Sequence, residues 1–456
     1  MSLLHTTLHE NRRTVALALP IMAGHLSQML MGWADTVMIG QVGVLPLAAC
    51  SLANSLLMVF MLFGFGLLSS VAVFVAESFG GGQNTRAGEF FYAGLVLAFF
   101  VGLLMAGFVI LFLPALHYLG QPEDTVLAAK PYLIFLACSL SPLFLASAAK
   151  SYSEALSKPW IPFWIIFFSV WLNVFLNWLL IFGNWGFPEL GLSGAGIATL
   201  AARIVGAIIL LTVIFKSRIY KCYRPIRLFG LYFKNHLRCL FRIGLPAGTQ
   251  IVMEVGAFAL ASVMMGWIGV KAMASHQVAI TCAATTFMVP LGMAIALTVR
   301  LGQTVGKKKF EKLRPIALGA LVTGLFCGGI FALLLAFFAR PLGALFISDP
   351  EVLPIITSLL GVAAFFQIFD ATQVIAVGGL RGLSDVRVPM FIIIISYWGV
   401  GLPLAALLAF SLNMGALGIW LGLAFSLLLV SIIANVRLWW KCGAYIIPTL
   451  QTHAPK

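Results

Sequence analysis

Apolar stretches of about 20 residues or more, the length that crosses a hydrocarbon core as helix, recur along this sequence with short polar breaks between them. They predict twelve spans, at about 14–40, 45–76, 90–116, 130–149, 160–182, 192–215, 241–266, 274–305, 316–339, 352–378, 388–410 and 415–437. The runs lack the short alternation of a membrane β-barrel, so the expected fold class is an all-α integral membrane protein. The first run starts after Arg13 and no small-residue cleavage site ends it early. It is therefore expected to remain as a signal-anchor helix.

The apolar pattern also repeats. LALPIMAGHLSQML (17–30) aligns with IGLPAGTQIVMEVG (243–256) at an offset of 226, pairing Leu19 and Pro20 with Leu245 and Pro246. The same offset pairs Gly66 with Gly292 and Gly80 with Gly306. Further on, EALSKPWIPF (154–163) matches RGLSDVRVPM (381–390), and SGAGIATL (193–200) matches GALGIWLG (415–422). An even number of spans per half makes these parallel repeats about an axis along the membrane normal. The expected division is an N-terminal segment (1–13), a first six-helix bundle (14–215), a basic linker (216–240), a second six-helix bundle (241–437) and a C-terminal tail (438–456).

Composition agrees: 61% of residues are hydrophobic and only 9% charged, against about 25% charged in a soluble domain. The formal net charge of +14 would suggest nucleic acid, but its placement argues against that partner. Of the 28 Lys and Arg, 24 lie at the termini or in even-numbered loops; Lys130, Lys271 and Arg340 lie opposite, and Arg203 within a span. Such asymmetry is a topology signal, and it predicts an inner-membrane protein with both termini cytoplasmic. The central segment 216–242 carries eight basic residues. Phe, Tyr and Leu between them suit either an in-plane segment on an anionic leaflet or a plain charged linker. The seven cysteines are scattered without a CxxC pair, so neither a disulfide framework nor a metal cluster is expected.

Acids inside apolar runs carry the sharpest chemical signal. A carboxylate at the centre of a spanning helix costs roughly 2.5–3.5 kcal/mol on insertion scales, yet Asp35, Glu254 and Asp370 all sit within runs. Each has polar companions at helical spacing: Gln28 before Asp35, Gln250 before Glu254, and Gln367 and Gln373 on either side of Asp370. These faces should line a cavity or another helix rather than lipid. With almost no internal cation to neutralise them, they are read as sites for a proton or a cation. Asn173 and Asn177, four apart on the fifth span, and Thr199 on the sixth can join Asp35 in an oxygen-rich site. Amide packing between helices accounts for the Asn pair equally well. Gln277 is a weaker cavity candidate; His276 and His25 read as interfacial residues before proton relays. Asp35 and Glu254 lie about 10 Å apart along the repeat, because Glu254 aligns with Gln28 and Asp35 with Ala261. The two halves should therefore hold chemically different sites.

On LALPIMAGHLSQMLMGWADTVMIGQVG, GLPAGTQIVMEVGAFA, GLSGAGIA and FQIFDATQVIAVGGLRG, the chain resembles the multidrug and toxic compound extrusion (MATE) family, NorM-type branch. The resemblance spans about residues 10–440. It implies twelve helices in two pseudo-symmetric six-helix bundles. It also implies export of cationic, amphipathic drugs or dyes in antiport with Na⁺ or H⁺ by alternating access. Carried over, Asp35, Asn173, Asn177 and Thr199 form the first coupling site, and Glu254 and Asp370 the second. Asp35, Glu254, Asp370, Phe258 and Gln277 would meet substrate. No cofactor beyond the coupling ion is implied, and the expected partners are small cationic amphiphiles and membrane lipid, with the protein a monomer. Phe366 stands where the branch often has Tyr, which removes an oxygen near Asp370.

Other readings fit less well. No Walker-type GxxxxGK[ST] occurs, so ATP is not the energy source. A lipid-linked precursor flippase of the same superfamily would favour a basic cavity, and an intramembrane enzyme would need paired aspartyl motifs or HExxH. A passive channel would need a pore-loop signature.

Overall fold

The computed structural model describes residues 3–224, 232–347 and 349–445. Fifteen α-helices follow in order: α1 (Leu3–Val42), α2 (Val44–Gly80), α3 (Asn84–Leu111), α4 (Glu123–Cys138), α5 (Leu140–Ala155), α6 (Trp160–Ile181), α7 (Gly191–Lys216), α8 (Phe233–Ile268), α9 (Val270–Gly306), α10 (Leu313–Phe337), α11 (Ala339–Phe346), α12 (Leu353–Gly382), α13 (Arg387–Ile394), α14 (Leu402–Ala406) and α15 (Gly415–Ala444). No strand occurs among the described residues. They form twelve helical stretches long and apolar enough to cross a membrane. The fourth runs through α4 and α5 with a bend at Ser139, and the eleventh runs from Arg387 to Ser411. Two π-helical segments, Ile395–Gly401 and Leu407–Ser411, interrupt that eleventh stretch.

The helices outrun the apolar windows that predict them. α1 begins ten residues before residue 13, α8 takes up residues 233–240 of the expected linker, and α15 continues past residue 437 to Ala444. Leu, Arg and Lys at these ends are good helix formers, so hydropathy stops where the helix does not. Residues 225–231 of the linker and 446–456 of the tail lie outside the described residues.

The chain packs as two units, Met1–Met22 with Thr249–Lys456, and Ala23–Gly248. Both boundaries fall inside helices, α1 and α8, and at equivalent places: Met22 and Gly248 are 226 residues apart. In the unit Ala23–Gly248, α2, α3 and α5 pack on one another while α7 packs on α4 and α6. In the other unit, α12 is central, against α9, α10 and α15.

The duplication is visible in the backbone. α2 and α9 are both 37 residues long and start 226 residues apart. Each is preceded by a glycine, Gly43 with φ 151° and Gly269 with φ 145°, a conformation essentially confined to glycine. Gly66 and Gly292 answer a different need. A Cβ on Gly66 would stand 2.5 Å from Gly248 Cα, and one on Gly292 would stand 2.4 Å from Met22 Cγ. Small residues at these crossings let helix backbones approach closely. The later repeat shifts register: Gly191 and Gly415, both at positive φ and both opening a helix, are 224 residues apart. The GAxG-type match in the sequence therefore sits two residues out of the structural equivalence.

Candidate functional site

Each unit carries a buried polar cluster that includes one or more of the predicted acids and is built from otherwise apolar helices. In the unit Ala23–Gly248, α6 places Asn173 and Asn177 on one face because they are four residues apart, and that face packs on α7. Asn177 Nδ2 donates to Asp35 Oδ1 at 2.5 Å and to Asn173 Oδ1 at 3.3 Å, and Asn173 Nδ2 donates to Thr199 Oγ1 at 3.4 Å. Both asparagines are fully buried, and Thr199 is 2% exposed. The four residues expected together from the sequence are thus one hydrogen-bonded chain.

One atom in that chain is left over. Asn177 spends both amide hydrogens on oxygens, and its buried Oδ1 has no hydrogen-bond partner. Such an acceptor costs about 1–3 kcal/mol when unsatisfied, and it lies on the residue that grips Asp35. A carboxylate, two amide oxygens and a hydroxyl make a donor set suited to a hard monovalent cation or to a shared proton.

Further polar groups surround Asp35 that spacing did not single out. Cys50 and Tyr132 meet at 3.5 Å, and Asn54 donates to Cys50 Sγ at 3.3 Å. Arg203, on α7, lies within electrostatic reach of Asp35. Its guanidinium donates instead to Ser139 Oγ at 2.7 Å, at the bend between α4 and α5. Gln28, expected on the Asp35 face, is exposed and takes no part in this chain. Elsewhere in the unit, Lys150 joins His25 at 3.4 Å to buried Glu154 at 3.8 Å, so His25 belongs to a local ion-pair group.

In the other unit, α8 and α12 bring the second pair of acids together. Glu254 Oε1 accepts from Gln373 Nε2 at 2.6 Å, while Gln373 Oε1 accepts from the Tyr397 hydroxyl at 3.3 Å. The Gln373 amide is therefore fixed in orientation from both ends. Asp370, three residues earlier on the same face of α12, is 8% exposed and within electrostatic reach of Glu254. Gln367, on the same helix, turns to α9 and donates to Thr286 Oγ1.

Tyr397 was not legible as a site residue. It lies in an apolar run and reads there as packing, but the π-helical segment Ile395–Gly401 holds it at the cluster. Such segments occur frequently at functional sites. A hydroxyl thus reaches the acids from a different span than the one where Phe366 stands. Phe366 is 1% exposed and stacks on Trp420 at 5.5 Å. Phe258 packs against the Tyr397 ring at 6.0 Å, whereas Gln277 lies on an exposed face of α9 outside these hydrogen bonds.

His276 resolves as a structural residue. Trp420 Nε1 lies 3.1 Å from His276 Nδ1, and Ser262 Oγ lies 2.7 Å from Nε2. An indole N–H can only donate, so Nδ1 accepts and the ring proton sits on Nε2. A proton on Nδ1 would break the indole bond, which argues against a relay.

With this geometry in place, resemblance to known proteins adds a second line. A profile of the family described as MatE matches the chain twice, over residues 20–179 and 246–407. The two matches begin 226 residues apart, the offset of the internal repeat. The sequence is 34% identical over 434 residues to the probable multidrug resistance protein NorM of Brucella suis biovar 1, covering 92% of this chain and 90% of that one. It is also 34% identical over 436 residues to the probable multidrug resistance protein NorM of Synechocystis, covering 93% of each. The fold matches the crystal structure of the Vibrio cholerae MATE transporter VcmN in its bent form, with TM-score 0.87 at 22% identity over 97% of this chain and 99% of that one. It also matches the eukaryotic MATE transporter AtDTX14, with TM-score 0.87 at 20% identity over 96% and 99%.

Proposed function

This chain belongs to the MatE family and is a multi-pass secondary transporter for multidrug efflux rather than an enzyme, and from that premise we propose that it exports cationic, amphipathic small molecules in exchange for Na⁺ or H⁺. Asp35, Glu254 and Asp370 are the coupling carboxylates of this reading. The observation that carries it is the unpartnered Oδ1 of Asn177 beside Asp35. An oxygen left bare next to a half-buried acid is accounted for if a cation or a carboxyl proton visits that place.

The chemistry follows from charge. In a low-dielectric interior an ionised carboxylate needs a compensating partner, and either the coupling ion or a cationic drug supplies it. Coupling arises because one acid cannot satisfy both at once. Asn177, Asn173 and Thr199 hold the Asp35 carboxylate in place for that competition. At the second cluster Arg381 lies within electrostatic reach of Glu254, so one carboxylate has a cation nearby and the second acid, Asp370, is the one that calls for a proton or a bound cation. Phe258, partly exposed and packed on the buried Tyr397 ring, offers a ring to a flat organic cation. The concentration of basic residues in alternate loops supports, in this reading, both termini in the cytoplasm of an inner membrane, with a monomer as the working unit.

The test is efflux of ethidium from proteoliposomes under an imposed Na⁺ gradient and, separately, an imposed pH gradient. One gradient drives efflux in the native protein, and Asp35→Asn abolishes it while inserting normally. Absence of efflux under both gradients would reject ion-coupled export, and undiminished efflux by the variant would reject the role of Asp35.

A further inference from the structure

At one end of the unit Ala23–Gly248, the turn from α2 into α3 and the first turns of α8 line a cavity of about 660 Å³. Asn84, Arg86 and Glu89 reach it from α3, and Asn235, His236 and Cys239 from α8. None of these belongs to the coupling clusters. Arg86 donates to Gln83 Oε1 at 2.9 Å and lies 5.6 Å from the Phe90 ring, and it forms no ion pair with a carboxylate among the described residues. His236 Nε2 stands 3.8 Å from Glu89 Oε2, its ring edge-on to Phe90 at 4.4 Å.

The internal repeat indicates what such a place holds. At the offset of 226, His236 corresponds to Glu10 and Arg86 to Lys312. In the other unit Glu10 is 2% exposed, ion-paired with Arg300, and accepts from Lys312 Nζ at 2.8 Å. There the helix α1 brings its own anion to the basic residue that opens α10. In the unit Ala23–Gly248, α8 presents a second basic side chain at that position, with a cavity around it. The scaffold that is built around a buried glutamate in one half thus lines a cavity with Arg86, His236 and two amides in the other, with Glu89 beside His236.

We propose that this cavity is a headgroup site for an anionic phospholipid. The ligand chemistry is a phosphate oxyanion. The planar guanidinium of Arg86 matches it with paired N–H donors, and Asn84, Asn235 and His236 supply the remaining ones. Glu89 opposes it and sets a ceiling on affinity. A lipid rather than a free phosphate is favoured because α3 and α8 are membrane-spanning stretches. Basic pockets at the ends of such helices recognise anionic headgroups. Lys234 and Arg238, exposed on the same turns of α8, add to the local field.

The experiment uses the full chain purified in a neutral detergent. Native mass spectrometry measures retention of dioleoyl phosphatidylglycerol against dioleoyl phosphatidylcholine. Alkylation of Cys239, followed by peptide mapping, reports occupancy of the cavity itself. Phosphatidylglycerol should be retained preferentially and should slow Cys239 alkylation. Arg86→Ala should reduce retention roughly fivefold, the loss expected of one basic residue at a membrane surface. Glu89→Gln should raise it, a gain that misfolding would not produce. Equal retention of the two lipids, unchanged retention in Arg86→Ala, or loss in Glu89→Gln would overturn the proposal. Protection of Cys239 by inorganic phosphate alone, as strong as by phosphatidylglycerol, would assign the site to a soluble phosphate and overturn the lipid reading.

Discussion

Asn177 holds two oxygens in order with one amide, and that makes it the most informative residue after the acids themselves. Asn177→Ala removes the donor to Asp35 and to Asn173. A hydrogen bond to a charged group is worth about 1.5–3 kcal/mol, so affinity for the coupling ion should fall by roughly tenfold or more. Ion-dependent dye efflux measured across a range of ion concentrations would show this as a shift in the half-maximal concentration. His276 belongs to the opposite class. Trp420→Phe keeps the stack on Phe366 but leaves Nδ1 of a buried imidazole without its donor. It should lower stability by about 1–3 kcal/mol, seen as a lower melting temperature in detergent, with efflux per folded molecule unchanged. Residues of the first cluster were legible because polar side chains at helical spacing stand out in an apolar run. Tyr397 was not, because an aromatic ring in such a run has the same pattern whether its hydroxyl finds lipid headgroups or a glutamine.

Helices were legible in number but not in length. Hydropathy marks where a segment can sit in hydrocarbon, whereas the backbone stays helical as long as its residues tolerate it, so α1, α8 and α15 exceed their apolar windows. The π-helical interruptions of the eleventh stretch have no sequence signature at all; they lie where α14 and its neighbours pack on α15. There, a Cβ on Gly422 would come within 2.6 Å of Ala405 Cα. Paired glycines were legible as a repeat, and the structure supplies their separate reasons. Gly43→Ala and Gly269→Ala each force a side chain into a conformation that costs about 1–3 kcal/mol. Both variants should melt earlier by similar amounts, a result that unequal shifts would contradict.

At the scale of the whole chain, the two units do not divide at the basic linker but within α1 and α8. The first turns of α1 are held in their unit by a charge group no local pattern announces. Glu10 engages Arg300 and Lys312, and Asn11 exchanges hydrogen bonds with Thr323. These partners are about 300 residues apart, so only folding brings them together. Glu10→Ala leaves Arg300, 13% exposed, without its carboxylate. Removing one member of a buried pair costs about 3–5 kcal/mol; the half-open Lys312 side moderates this to roughly 3 kcal/mol. Equilibrium unfolding of the full chain would measure it, and a loss well under 1 kcal/mol would mean that the group contributes only surface electrostatics.

The paired glycines also act as an inheritance record. A chain that arose by duplication contains two descendants of one ancestor under the same selection for folding. Where they agree, as at Gly43 and Gly269, backbone geometry left no neutral exit. Where they differ, as at Asp35 against Ala261 and Glu254 against Gln28, each descendant was free to acquire chemistry of its own. A saturation scan of growth under drug should therefore give correlated tolerance at the paired glycines and uncorrelated tolerance at the acid positions. On the function proposed above, divergence of the two halves is a division of labour, with one scaffold retained twice and its polar positions free to differ.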